Sequence, residues 1–223
     1  MLVTCWSVKG GSGTTTVACA LALVAARSPA GALLVDLAGE APAVLGLPEP
    51  SGPGVVDWLA AGADVPVEAL GPLEQVPVPG LALLPTGGTG PRRDVPPAPA
   101  RVEALAAHLA TDPRLVVVDG GLVGGARPEA TALAAFAGRS LLVLRPCYLA
   151  LRRAVEAPVR PSAVVVVGER GRHLDAPAMV DALGVPVAAA LAAHPQVAAA
   201  VDAGLLARPL PARLTRPLVG LVA

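Results

Sequence analysis

Asparagine and isoleucine are absent from this 223-residue chain, lysine occurs once, and the aromatic residues amount to two Trp, one Tyr and one Phe. With 54% hydrophobic content and so few rings, the core must be built from Ala, Val and Leu, which suits helices packed closely on a sheet. Net charge is lacking too. Seventeen basic and 17 acidic residues cancel, so nothing at the level of the whole chain calls for nucleic acid or an anionic membrane. Arg92 with Arg93, Arg152 with Arg153, and Arg170 with Arg172 are local basic points, readable either as solvated surface or as contacts to a partner. Cys5, Cys19 and Cys147 have no paired spacing and lie in apolar stretches; they exclude a disulfide framework and read as reduced, buried residues of a cytosolic protein. The longest apolar run, Val17 to Ala26, covers about half of a membrane span. Met1 to Val8 is too short for a secretory signal and lacks its basic start. We expect one cytoplasmic domain over residues 1–223, large enough to bury a core.

The one lysine is Lys9, against 16 arginines once it is subtracted from the 17 basic residues. In a chain that uses Arg wherever positive charge alone suffices, a surviving ammonium points to a task that a guanidinium cannot perform. Lys9 precedes Gly10, Gly11, Ser12, Gly13, Thr14, Thr15 and Thr16, a glycine-rich turn that follows an apolar run. That order of strand, glycine loop and helix is the context of a phosphate-binding loop.

Aliphatic runs of four to six residues alternate with helical stretches along the rest of the chain. The reading places strands at Leu2–Val8, Ala32–Val35, Leu81–Leu84, Leu115–Val118, Leu141–Leu144, Ala163–Val167 and Val185–Leu191. Helices are expected at Thr15–Arg27, Val55–Ala61, Pro66–Leu70, Val102–Ala110, Glu129–Ala137, Leu149–Glu156, Ala176–Leu183 and Gln196–Ala203. The fold class is therefore α/β, a mostly parallel sheet with helices on both faces. Pro85–Ala100, rich in Pro and Gly and holding Arg92, Arg93 and Asp94, is expected to be an exposed loop within the domain.

Asp36 and Asp119 each follow a strand, at the sheet end where ligands bind in open parallel sheets. The loop glycines can turn N–H groups toward a phosphate, Thr15 stands where a hydroxyl would hold Mg²⁺, and Asp36 and Asp119 could hold it through water. The alternative is a glycine-rich turn with acidic strand ends that only cap helices. His108, His173 and His194 are scattered without metal-ligand spacing. Trp6 reads as core, and Trp58 as either core or a partner surface.

Val8 to Thr16 resembles the deviant phosphate loop of the ParA/MinD family, KGGxGK[ST]T. Leu33–Asp36 resembles the strand before the family's first switch, and Leu115–Asp119 its Walker B strand. Leu183–Leu206, with Gly184, Pro186, Pro195, Asp202 and Gly204, resembles its closing region. The pattern is similar to the actinobacterial MinD-like or CpaE-like branch. The resemblance implies a P-loop NTPase three-layer sandwich that binds ATP and Mg²⁺ and forms a homodimer, the first lysine reaching across to the partner's nucleotide. It also implies nucleotide contacts from Lys9 through Thr16 and, in an active enzyme, catalytic roles for Lys9, Asp36 and Asp119. Lys9 has a second reading, as an anchor of the loop through Asp36 or Asp119.

Several family side chains are missing. Thr14 stands where the family has the lysine that wraps the β- and γ-phosphates. A charge-assisted bond to phosphate contributes about 1.5–3 kcal/mol, so its loss lowers affinity about tenfold to more than a hundredfold. Ala38 stands where a second Asp orients the attacking water, a factor on the order of 10² to 10⁴ in rate. The family's adenine-reading Asn has no counterpart, with Gly168 and Glu169 in its region, and Gly120 and Gly121 replace the proline that often follows the Walker B Asp. Two glycines there predict a more mobile switch loop.

These departures point to a dimeric positioning or assembly factor for a cell-envelope, pilus, secretion or division machine, with weak or lost ATPase activity. An active ATPase that partitions DNA or other cargo, and a nucleotide-free scaffold, are the alternatives. Direct DNA binding is disfavoured by the neutral charge. Pro209, Pro211 and Pro217 break any terminal amphipathic helix, so no direct membrane anchor is expected and a partner would do any recruiting to the inner membrane face.

Overall fold

Strand β1 (Leu2–Ser7) carries the glycine loop and lies inside the sheet, where both neighbours are distant in sequence. The computed structural model describes residues 1–88, 96–124, 127–168, 176–208 and 210–222. Arg92, Arg93, Asp94, Glu169, Arg170, Arg172, His173 and Pro209 lie outside them. After β1 come α1 (Thr14–Ala25), β2 (Ala32–Asp36), α2 (Ala41–Leu45), α3 (Val55–Ala60) and a 3₁₀ segment, Val67–Leu73. Next are β3 (Gln75–Val78), β4 (Leu81–Leu84), α4 (Pro99–Thr111), β5 (Leu115–Leu122), α5 (Pro128–Phe136) and β6 (Arg139–Leu144). The chain continues through α6 (Tyr148–Val155), β7 (Ala163–Gly168), α7 (Ala176–Leu183), β8 (Val187–Ala192), α8 (Pro195–Asp202), α9 (Ala212–Thr215) and a 3₁₀ segment, Arg216–Leu221. The eight strands join in the order β3-β4-β2-β5-β1-β6-β7-β8, all parallel except β3 against β4.

Alternation along the strands divides the core into two layers. Leu2 and Trp6 of β1, with Val116 and Val118 of β5, face α4 to α7; Val3, Cys5 and Val117 face α1, α2 and the C-terminal segment. The three-layer arrangement expected from the sequence is thus present. Helix α1 is buried all round except at Thr16, which its run of Ala, Cys and Val permits because small side chains let it lie close to the sheet. Trp6 is fully buried and donates its indole N–H to Ser140 Oγ at 2.9 Å. The terminal segment docks on the α1 side with Leu214, Leu218 and Leu221 buried.

Four expectations need correction. Strand β3 was not expected, because Pro77 breaks its hydrogen-bonding pattern and confines it to the sheet edge. Helix α2 spans only Ala41–Leu45, too short to show a period. The start of the Pro/Gly-rich stretch is not exposed: Pro85, Thr86 and Gly87 are buried, and the Pro85 and Thr86 carbonyls accept the Val55 and Val56 N–H groups at the start of α3. Its end is helical, Pro99 and Ala100 opening α4. Cys147 is half-buried rather than buried, since it precedes α6 at the sheet rim.

Trp58 belongs to the core and not to a partner surface. Its indole N–H donates to the Pro66 carbonyl at 2.9 Å, and the Arg101 guanidinium stacks 3.5 Å from its ring centroid. Arg101 is itself buried and donates to the carbonyls of Trp58 and Val65 at 2.5 and 2.6 Å. One cation thereby ties α4 to α3 and to the turn after it. Replacing it with an apolar residue would take the guanidinium donor from the half-buried Val65 carbonyl, leave the Trp58 carbonyl with only the Ala61 N–H, and remove the stacking on the Trp58 ring. Arg101→Leu is expected to lower stability by about 2–4 kcal/mol in urea denaturation, and Arg101→Lys to recover less than half of that loss because an ammonium cannot stack and fork at once.

Candidate functional site

The loop after β1 turns twice through left-handed glycines, Gly11 at φ 74° and Gly13 at φ 89°, the second standing at the N-cap of α1. A side chain at Gly13 would be strained in that conformation. No side chain caps α1, so the N–H groups of its first turn remain available to an anion, with the positive end of the helix behind them. They border a cavity of about 530 Å³ lined by Gly10, Gly11, Ser12, Gly13, Thr14, Thr15 and Thr16, with Ser7, Ala38, Glu40, Gly121, Leu122, Arg127 and Arg145 around the rest. Ser12 braces the loop by donating its hydroxyl to the Lys9 carbonyl at 2.7 Å.

Asp36 and Asp119 are register partners on adjacent strands, and both are fully buried. Asp36 accepts the Gly39 N–H at 2.7 Å and the Ala41 N–H at 3.1 Å, one on each oxygen, and so fixes the turn into α2. Burial raises its carboxyl above the usual range, against the pull of these N–H groups. Asp119 accepts the Gly121 N–H on Oδ1 at 3.1 Å, while its buried Oδ2 has no hydrogen-bond partner among the described residues. Burial, followed by the neighbouring Asp36 charge, pushes the Asp119 carboxyl up to about 7, with the Thr15 hydroxyl opposing the rise. The Thr15 hydroxyl lies 3.4 Å from Glu40 Oε2.

This donor set fits Mg²⁺. An orphaned carboxylate oxygen beside a hydroxyl, with a second carboxylate in reach, is what a hard cation uses, the remaining positions being filled by phosphate and water. Thr15, Asp119 and Glu40 would hold the ion, which would offset the charge of bound phosphate; Asp36, also expected as a ligand, has both oxygens taken by the Gly39 and Ala41 N–H groups. Among the described residues no group of three or more His, Cys, Asp or Glu is placed to hold a metal by itself.

Two further expectations change at the site. Gly120 and Gly121 do not form a mobile loop after Asp119, because β5 continues through them. The pairing shifts between Cys5 and Trp6, from Cys5 opposite Asp119 to Trp6 opposite Gly121, so Gly120 is the extra residue of a bulge. Ser7 then holds the strand in place, donating its hydroxyl to the Gly121 carbonyl at 3.2 Å and accepting the Val123 N–H at 2.9 Å. Lys9 makes no hydrogen bond or ion pair with Asp36 or Asp119, so it is not their anchor. It is half-exposed, and it is the only residue from Lys9 to Thr16 that does not line the cavity.

Sequence reasoning missed Glu40, Arg127 and Arg145. Arg145 was detectable, because it directly follows an aliphatic strand at the ligand-binding end of the sheet. Arg127 stands after β5 at the N-cap of α5 and donates to the Leu37 carbonyl, a contact that no spacing reveals. A second cavity, of about 230 Å³, adjoins the first through Gly13, Thr16 and Arg145; Val17, Val167, Leu191 and Val197 give it aliphatic walls, and His194 and Asp202 give it polar edges.

A glycine loop between an interior parallel strand and a buried helix, beside two acidic strand ends, defines the P-loop class of α/β sheet. Within that class the chain has the ParA/MinD fold. It is similar to a ParA family ATPase from Chlorobium tepidum TLS, with a TM-score of 0.75 and 18% identity over 99% of this chain and 98% of that one. It is also similar to the septum site-determining protein MinD complexed with Mg-ADP from Pyrococcus horikoshii OT3, with a TM-score of 0.76 and 18% identity over 100% and 95%. The cell division ATPase MinD of Pyrococcus furiosus gives a TM-score of 0.77 and 19% identity over 99% and 96%. No protein-family model and no curated protein matches the sequence.

The raised Asp119 carboxyl has a pH consequence. Its folded value, about 7, exceeds the usual 3.8, so the native state binds the extra proton between those values and stability falls as pH rises through that window. Denaturation from pH 4 to 7 is expected to show the native protein losing up to about 1 kcal/mol per pH unit relative to Asp119→Asn, whose neutral carboxamide does not titrate. Parallel curves for the two proteins would contradict the assignment.

Proposed function

We propose that the chain binds Mg-ATP between the glycine loop and the ends of β2 and β5, and acts as a nucleotide-responsive positioning or assembly factor with weak or absent hydrolysis. The observation that carries this reading is the uncapped start of α1 opening into a cavity lined by Thr15 and Gly121, with the buried, unpartnered Asp119 Oδ2 behind them. One group receives the anion and the other its counterion. The adjoining aliphatic cavity suits a flat base. Weak hydrolysis follows from Thr14, which supplies no ammonium to the phosphates, and from Ala38, which supplies no carboxylate for water.

A homodimer is part of the proposal. Lys9 stands half-exposed outside its own chain's cavity, a placement that supports contact with a partner copy's nucleotide, and Leu122, Tyr148 and Leu149 expose apolar surface on neighbouring elements. The cargo is proposed to be a cell-envelope, pilus, secretion or division machine, as in the actinobacterial MinD-like or CpaE-like branch. No helix among the described residues is long and apolar enough to cross a membrane, so membrane placement would come through a protein partner.

Calorimetric titration with ATP and ADP in Mg²⁺ tests the reading. The native protein should bind at micromolar to low-millimolar levels, and Thr14→Lys should bind about tenfold or more tightly. Absence of binding by the native protein, with binding by Thr14→Lys, would make it a nucleotide-free scaffold instead.

One observation favours the second reading, an active ATPase. Glu40 places a carboxylate in the cavity two residues beyond Ala38, 3.4 Å from the Thr15 hydroxyl. If Glu40 orients water, Glu40→Gln should reduce ATP turnover by a factor on the order of 10² to 10⁴ with ATP affinity little changed. Equal turnover in the two proteins would remove this reading.

A further inference from the structure

The cavity has an electrostatic problem that the glycine loop does not solve. Glu40 lines one end with the buried Asp36 and Asp119 behind it, Thr14 brings no charge, and Lys9 does not line the space. A triphosphate carries several negative charges, and partial charges on N–H groups are a weak answer to them beside the Glu40 carboxylate. Among the described residues, the cationic side chains that line the cavity are Arg127 and Arg145.

We propose that Arg127 and Arg145, on two walls of the cavity, jointly replace the ammonium that Thr14 displaces, with Arg127 serving the terminal phosphate and Arg145 the inner ones. The inference rests on the reading of the cavity as a nucleotide site. Thr14 is buried at the first turn of α1 and brings no charge, so a cation for the phosphates must come from the other walls of the cavity. Arg127 does so from the β5 side. Its Nη1 donates to the Leu37 carbonyl, which fixes the guanidinium beside Ala38 and Gly121 and leaves other N–H groups of the fork for a ligand. This is also the end that holds Thr15, Glu40 and Asp119, where Mg²⁺ and the terminal phosphate belong.

Arg145 approaches from β6, on the opposite flank of β1. Its side chain is exposed and borders both the phosphate cavity and the aliphatic one, together with Gly13 and Thr16. A group at that junction meets the phosphates nearest the sugar. Guanidinium forks match phosphate oxygens in pairs and keep their charge at every accessible pH, so two of them can compensate for one well-placed ammonium. The positions also divide the labour: one arginine distinguishes ATP from ADP, and the other holds both alike.

Isothermal titration of Mg-ATP and Mg-ADP into the native protein, Arg127→Gln and Arg145→Gln tests this, each variant being made with and without Thr14→Lys. Arg127→Gln is expected to weaken ATP about tenfold or more and ADP less than about threefold, whereas Arg145→Gln should weaken both about tenfold. Thr14→Lys should restore ATP affinity to Arg127→Gln, which shows that the site is intact apart from its charge. Native-like ATP affinity in both single variants would overturn the assignment and leave the nucleotide reading standing. Binding lost in Arg127→Gln and not restored by Thr14→Lys, with a lowered melting temperature, would make Arg127 a structural tie to Leu37 and likewise overturn it. A folded native protein that binds neither nucleotide would remove both the assignment and the reading beneath it.

Discussion

Two carboxylates face each other across adjacent strands in a place from which water is excluded, and the arrangement of this sheet end follows from how each is stabilised. Asp36 is satisfied by the backbone. By accepting the Gly39 and Ala41 N–H groups it determines where β2 stops and α2 starts, and hence where Ala38 and Glu40 stand. Asp119 is only half satisfied, through one N–H from its own strand on Oδ1, with the Thr15 hydroxyl nearby but, among the described residues, no hydrogen bond to Oδ2. A protein interior tolerates such a group when the carboxyl holds a proton or a cation comes to it. The two aspartates are therefore unequal despite their symmetric register, one shaping the backbone and the other remaining open to chemistry.

The basic residues show a comparable division. Of the arginines, Arg101 is committed to the interior through Trp58, Arg114 is paired with Glu74 and Asp112, and Arg127 and Arg145 stand at the cavity. Lysine survives only at position 9, on the half-exposed edge of the loop. A guanidinium serves in each of the other settings because stacking, forked pairing or a long reach is useful there.

The fold was legible in the sequence because short aliphatic strands and longer helical stretches alternate with few ambiguities, and the strand expected at Leu81–Leu84 has those bounds in the structure. Strand β3 was not legible, since Gln75 and Pro77 argue against a strand and only pairing with β4 at an edge makes one. The loop from Gly10 to Thr16 could be read from its glycines, and the structure gathers it around one cavity. The other half of the cavity wall escaped, because Glu40, Arg127 and Arg145 come from three separate segments and each looks like ordinary surface charge in one dimension. Gly120 and Gly121 were misread as loosening a loop: glycine permits motion in isolation, but here pairing with β1 uses its lack of a side chain to admit a bulge.

The interior position of β1 has a consequence for how the protein folds. Its hydrogen-bonding neighbours are β5 and β6, so that Val3 pairs with Val117 on one side and with Arg139 on the other. Strand β1 ends at Ser7 and the nearer of its two partners starts only at Leu115, so the strand beneath the glycine loop must wait for segments far along the chain. Closure of such long intervals is slow, and strands awaiting distant partners expose apolar edges meanwhile. The anion cradle thus depends on strands far from it in sequence and is among the last parts to take shape, so substitutions at Val116 or Val117 of β5, or in β6, would delay its appearance without touching a residue that lines it.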